Sequence, residues 1–256
     1  DRAYAGRIFK SEEHTDRLFA SADLMGFAIP YSKAEINAAK DATLARTGLK
    51  DAYVRPIAWR GSEMMGVSAQ ANTIHVAIAV WAWPSYFDPA LLETGIRLDM
   101  AAWRRPDPRT APCNAKAAGL YMICTLSKHQ AEAKGYTDAL MLDYRGHVAE
   151  ATGANVFFLK DGTLHTPTPD CFLNGITRRT VIDLARARDI EVIERTILPE
   201  ELEGFEACFL TGTAAEVTPV GEIGPFSFTV APLVKDLMRD YAALVRGEEI
   251  ALKAVA

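Results

Sequence analysis

No uncharged apolar stretch reaches the about 20 residues a membrane helix needs. The longest, roughly Val76 to Phe87, reads instead as a buried strand followed by a turn. Cys113, Cys124, Cys171 and Cys208 form no CxxC pair, and a chain of this size needs no disulfide staples. Reduced thiols in a cytoplasmic protein are therefore expected. His14, His75, His129, His147 and His165 lack the spacing of metal ligands, which argues against a metal site. Basic tracts, internal repeats and low-complexity segments are also missing. With a formal charge of -5 and scattered Lys and Arg, nothing favours nucleic acid or an anionic membrane as a partner. The polar opening, Asp1 to Arg7, does not read as a signal peptide.

What is present is ordinary for a globular enzyme: 256 residues, 49% hydrophobic and 24% charged, enough for one large or two smaller domains. Strand-like Gly6 to Phe9 precedes a helix from His14 to Met25, with Leu18 and Leu24 spaced for its inner face. A second helix is bounded by a Ser32/Glu35 capping box and by Gly48. Asp51 to Arg60 alternates as a strand, which places Tyr53 and Arg55 on one face. Thr73 to Trp81 reads as a buried strand, and Pro84 to Asp88 breaks both periodicities. These boundaries suggest a smaller domain over 1–83, a linker at 84–89 and a larger domain over 90–256. In the larger domain a strand runs from Ile96 to Trp103, and the arginine-rich loop 104–110 favours a solvated reading. Further strands cover Asp138 to Asp143, His147 to Ala151, Asn155 to Leu159, Thr163 to Thr166, Ile190 to Arg195 and Glu206 to Leu210. Helices cover the run up to Lys134, then Arg178 to Arg188, then Pro232 to Arg246. The fold class is mixed α/β (α+β).

Four stretches could carry chemistry. In Pro112-Cys113-Asn114-Ala115-Lys116-Ala117-Ala118-Gly119-Leu120-Tyr121, one lysine stands among small and apolar residues that can strip water from an ammonium group. Desolvation favours the neutral amine, the form that condenses with a carbonyl. The plainer reading is a lysine that snorkels to water. Glu150 sits near a strand end beside Thr152-Gly153, where backbone can approach a ligand closely, although such glutamates are usually exposed. Asn174-Gly175-Ile176-Thr177-Arg178 opens a helix whose first N–H groups suit an anion, with an ordinary N-cap at Thr177 as the alternative. Thr211-Gly212-Thr213-Ala214-Ala215 has no bulky side chain, so its amides can reach a phosphate or carboxylate directly.

Taken in order, with Tyr53-Val54-Arg55-Pro56 upstream, these stretches resemble the fold-type IV pyridoxal-phosphate enzymes, most closely the branched-chain amino acid aminotransferases. The likeness covers nearly the whole chain and implies two α/β domains with pyridoxal 5'-phosphate at their junction, usually in a homodimer or larger homo-oligomer. It implies that Lys116 carries the cofactor as a Schiff base and then acts as the proton-transferring base. By the same resemblance Glu150 pairs with the pyridine nitrogen and Tyr121 bonds the ring oxygen. Arg17 of an H-x-x-R-L pattern, with Ile176, Thr177 and Thr213, holds the phosphate. Tyr53, Arg55, Thr213 and Ala214 recognise substrate carboxylates. The implied reaction moves the amino group between leucine, isoleucine or valine and 2-oxoglutarate, in amino acid biosynthesis. Alternatives within the fold-type are D-amino acid transaminases, (R)-amine transaminases and aminodeoxychorismate lyases; outside it, a non-catalytic cofactor-binding homologue. One departure stands out: where the family commonly has an acid in E-x-x-G-E-N, this chain has Ala154. The family likeness also implies a strand segment ahead of Asp1, so the sequence reads as trimmed at its start.

Overall fold

Residues 1–83 and 90–250 of the computed structural model are described, so the linker expected at 84–89 lies outside the described residues. The chain divides into two compact units, Asp1–Pro84 with Ala115–Ala117, and Ser85–Asn114 with Ala118–Ala256. The mixed α/β class is as the periodicities predict.

The first unit contains β1 (Arg2–Tyr4), β2 (Arg7–Ile8), α1 (Ser11–Leu24), α2 (Lys33–Thr47), β3 (Ala52–Arg60) and β4 (Ile74–Ala82). Its sheet runs β2-β1-β3-β4, and β3 pairs with β4 antiparallel over nine residues, from Ala52↔Ala82 to Arg60↔Ile74. The capping box that starts α2 is present: Ser32 Oγ accepts the Glu35 amide at 3.2 Å while Glu35 Oε2 accepts the Ser32 amide at 2.7 Å. Gly48 ends the helix in the left-handed region at φ 72°, which a glycine adopts without strain. Leu44 packs with Ala3, Ile8, Ala52 and Val54 in a small core. Each full burial of a Leu or Val contributes about 1.5–3 kcal/mol.

Three expectations for this unit are corrected. Strand β1 has no counterpart among the expected elements, because three residues are too few to show a period. Leu24 is 52% exposed, and the buried face of α1 is formed by His14, Thr15, Ser21 and Ala22. Strand β4 is half-buried, not buried, since it is paired on one side only and lies at the sheet edge.

The second unit contains α3 (Leu91–Thr94), β5 (Ile96–Met100), α4 (Tyr121–Ala133), β6 (Asp138–Leu142), β7 (Val148–Ala151), β8 (Asn155–Lys160), β9 (Thr163–Pro167), α5 (Ile176–Arg186), β10 (Val192–Arg195), β11 (Ala207–Gly212), β12 (Glu216–Ile223), β13 (Phe226–Ser227) and α6 (Pro232–Arg246). Its sheet follows the order β10-β9-β8-β11-β12-β5-β6-β7, and β7 returns to pair with β8. Six strands therefore form a closed ring. The closing ladder is one pair, Glu150↔Asn155. Ile96, Leu98, Leu140, Val156, Phe158, Cys208, Leu210 and Val220 fill the apolar core. By the two-residue period, Asn155 and Phe157 lie on the opposite face of β8 from Val156 and Phe158.

Strand β5 ends at Met100, earlier than expected, and Trp103 beyond it is 44% exposed. Strand β12 is likewise additional to the expected elements, because Pro219 and Gly221 interrupt its pattern. The lysine run is irregular up to a short 3-10 turn over Ala118–Leu120, and helix α4 begins only at Tyr121. All four cysteines are free and buried, and desolvation pushes the Cys171 thiol up to about 12. No described helix is long and apolar enough to cross a membrane.

Helices α5 and α6 contact each other, and next to them Arg188, just beyond the end of α5, pairs bidentately with Asp240 of α6, both side chains almost wholly buried. Removing one partner of such a pair strands the other charge, at a cost of about 3–5 kcal/mol. Asp240→Ala is expected to lower the unfolding free energy by about that amount, read by urea titration; a change under about 1 kcal/mol would contradict a structural role for the pair.

Candidate active site

In the first unit, positions 14, 17 and 21 of α1 share one helical stripe, because residues three and seven apart lie on the same side. That stripe is polar and faces inward. Ser21 Oγ accepts the backbone N–H of Lys116 at 3.0 Å, which fixes the lysine segment to the helix. Arg17 Nη2 lies 3.2 Å from His14 Nδ1, which is also 3.0 Å from Asp1 Oδ1. Asp1 Oδ2 in turn accepts from Lys40 Nζ at 2.8 Å, and the Lys40 side chain is fully buried. Burial, reinforced by the positive charges of the Asp1 ammonium and then of Arg17, Lys40 and Lys116, holds the His14 imidazole well below its ordinary pKa. His14 is thus neutral at pH 7, amid a concentration of cations that favours an anionic ligand.

Lys116 itself is exposed, although Cys113 and Ala115 beside it are buried. Its own run does not strip water from it. Tyr53 and Arg55 share a face of β3, as the alternation predicts. The Arg55 guanidinium lies 5.3 Å from the Tyr53 ring centroid and 5.3 Å from that of Trp81. Tyr53 stacks on Trp81 at 5.1 Å and lies 4.9 Å from Trp83.

In the second unit, Glu150 is buried despite its place near a strand end. Asn155 Nδ2 donates to Glu150 Oε2 at 3.2 Å, and Arg105 Nε stands 3.4 Å from Glu150 Oε1. Arg105 is 4% exposed, unlike Arg104 and Arg109 of the same loop, so the solvated reading of 104–110 fails for that residue. Its Nη1 donates to Cys124 Sγ at 3.4 Å. Helix α5 begins at Ile176, with Gly175 as N-cap and no side-chain cap. Ile176 and Thr177 are therefore its first two residues, and Thr177 is not the cap. Their N–H groups have no acceptor within the helix. Thr213 and Ala214 are half-buried on the tight turn between β11 and β12. Tyr121 opens α4 and is 36% exposed.

Four further residues stand near these without being among the sequence candidates: Ser21, His14, Arg105 and Asn155. His14 and Asn155 lie inside the H-x-x-R-L and E-x-x-G-x-N patterns, which is the signal that could have found them. Ser21 carries no local signal, and the burial of Arg105 depends on α4. Asp143, Asp170 and Cys171 place ligand atoms within 4.8 Å of one another, but Arg145 already pairs with both carboxylates. A surface cavity of about 310 Å³, lined by residues including Lys160, Arg195 and Glu201, contains none of the candidate residues.

The sequence model of the amino-transferase class IV family matches residues 2–223, and the chain belongs to that family. The family uses pyridoxal phosphate. The chain is 40% identical over 250 residues to a probable branched-chain-amino-acid aminotransferase of Rickettsia felis, covering 96% of this chain and 85% of that protein. It is 38% identical over 244 residues to the branched-chain-amino-acid aminotransferase of Pseudomonas aeruginosa, covering 94% of this chain and 80% of that one. The crystal structure of the branched-chain amino acid aminotransferase from Thermobaculum terrenum in its PLP-bound holo form superposes with a TM-score of 0.89 at 30% identity, covering 97% of this chain and 84% of that one.

The residues present fit pyridoxal phosphate. The cations around Arg17 suit its phosphate, and Glu150 suits its ring nitrogen. Thr211 Oγ1, on the strand opposite Asn155, is buried without a hydrogen-bond partner among the described residues. A Cβ on Gly175 would lie 2.3 Å from Asn155 Oδ1, so a side chain here would have to displace Asn155. Gly175→Ala is expected to cost about 1–3 kcal/mol of stability through overpacking. A urea midpoint equal to that of the parent chain would contradict this close approach.

Proposed function

We propose that the chain is a branched-chain L-amino acid aminotransferase, exchanging the amino group of leucine, isoleucine or valine with 2-oxoglutarate through pyridoxal phosphate bound covalently to Lys116. The observation that carries this reading is the tie of the Lys116 amide to Ser21, which holds the lysine segment against the stripe of α1 that also bears Arg17. The kinship with relatives named for this activity supports the substrate class.

When bound, the cofactor supplies an aldehyde for amines and a ring that accepts the electrons left on the substrate carbon. Arg17 grips the phosphate as a permanently charged, bidentate donor, aided by the N–H groups of Ile176 and Thr177 and by Thr213. Glu150 holds a proton on the ring nitrogen, and Tyr121 donates to the ring oxygen. With the cofactor bound, Lys116 Nζ would be the group that carries a proton to and from the substrate α-carbon. Tyr53 and the amides of Thr213 and Ala214 take the α-carboxylate, and Arg55 takes the distal carboxylate of glutamate. The unpaired, buried thiols suit a cytoplasmic enzyme, and the family habit supports a homodimer.

Borohydride reduction of the yellow protein followed by peptide mapping is expected to place a pyridoxyl group on Lys116; a label elsewhere, or none, would reject the assignment. Initial rates should favour L-leucine over D-alanine and an (R)-amine, and a preference for either of the latter would move the chain to another subgroup. Arg55→Ala should raise KM for 2-oxoglutarate about 10- to 100-fold, the loss of a hydrogen bond to a charged group, with a smaller effect on leucine. Equal effects on both substrates would remove Arg55 from distal carboxylate recognition.

A further inference from the structure

Asn155 occupies the seam of the six-stranded ring and is 5% exposed. Both polar atoms of its carboxamide are engaged. Nδ2 donates to Glu150 Oε2 at 3.2 Å and to the carbonyl of Leu173 at 2.9 Å, and Oδ1 accepts the backbone N–H of Gly175 at 3.2 Å. The partners fix its orientation: two acceptors face the nitrogen and one donor faces the oxygen. An aspartate would turn a second carboxylate against Glu150 and the Leu173 carbonyl.

The two ends of this strut reach different functional groups. One is the Glu150 carboxylate, whose other oxygen pairs with the buried Arg105 guanidinium 3.4 Å away. The other is the N-cap of α5, which has no side-chain cap of its own and leads directly to Ile176 and Thr177. We propose that Asn155 is a positioning residue that couples the carboxylate serving the cofactor ring to the turn serving its phosphate, through one carboxamide. This rests on the proposed roles of Glu150, Ile176 and Thr177. The strut sets the aim of the carboxylate and the height of the first turn of α5 together, so disturbing it is felt at both ends of the cofactor.

The test compares the full chain with Asn155→Ala and Asn155→Asp, each stripped of cofactor and then titrated separately with pyridoxal phosphate and with pyridoxal, which lacks the phosphate. Asn155→Asp keeps the acceptor for Gly175 but loses the donor to Glu150. It is expected to weaken both ligands by about the same factor, on the order of tenfold. Asn155→Ala loses both ends, and should weaken pyridoxal phosphate by a clearly larger factor than pyridoxal. A general loosening of the fold would not separate the two ligands in this way. The pH midpoint of the visible band should also move in both variants, because Glu150 is misaimed in each. If the parent chain binds pyridoxal phosphate and both variants match it within twofold for both ligands, the strut is overturned while the proposed function stands. If the parent chain binds neither ligand, the function reading fails and the inference falls with it. Should Asn155→Ala not fold, the Asn155→Asp affinities and band midpoint decide the ring-side half alone, and an unchanged midpoint overturns the coupling.

Discussion

The second unit depends on a seam of one residue pair. Six strands make a ring only because β7 returns to β8 at Glu150↔Asn155, and the apolar core is sealed by that closure. Placing a carboxylate at a buried seam is costly: an unpaired charge removed from water loses several kcal/mol of hydration. Asn155 and Arg105 offset the loss with a hydrogen bond and an ion pair. The two contacts hold the Glu150 carboxylate in one orientation. Structure and chemistry thus draw on the same pair of residues, through its backbone in the ring and its side chains in the contact.

The first unit resolves an analogous conflict on helix α1. A surface helix ordinarily buries an apolar stripe, but this one buries His14, Thr15 and Ser21 and leaves Leu24 in solvent. The polar face is satisfied internally: Thr15 Oγ1 donates to Asn37 Oδ1 at 2.5 Å, and His14 lies between Asp1 and Arg17. Helix α2 contributes the buried Lys40, whose charge Asp1 answers. The unit gives up hydrophobic burial on one helix to gather cations, and relies on Ala3, Leu44, Ala52 and Val54 behind β3 for its core.

How much of this was legible follows the range of each interaction. The capping box of α2 and the shared face of Tyr53 and Arg55 depend on neighbours within a few residues, and both appear as expected. The stretches around Lys116, Glu150, Ile176 and Thr213 were visible as motifs, though not the contacts that hold them. The inner face of α1 escapes a sequence reading because a leucine at the right spacing is ordinarily core, and nothing local says that the face is given over to charge. The pairing of β5 with β12, the burial of Arg105 and the tie from Lys116 to Ser21 join residues far apart in the chain, beyond any local pattern. Thr177 has a side chain suited to capping, yet Gly175 takes the position because Asn155 fills the space where its side chain would be.

Ala154 gains a physical account from the same geometry. It is 7% exposed on the turn between β7 and β8, and a Cβ on Gly212 would lie 3.4 Å from its side chain. An acidic residue there would place a second carboxylate within four residues of Glu150, close beneath the Gly212-Thr213 turn. Alanine leaves Glu150 as the one acid of the segment from 150 to 155. The charge that Asn155 and Arg105 must balance is then a single one, and the amides of Thr213 and Ala214 follow an uncharged contact. A substrate carboxylate meeting those amides would face no like charge from the neighbouring turn. The departure from the family pattern therefore simplifies the electrostatics of the hairpin without touching the groups that hold Glu150.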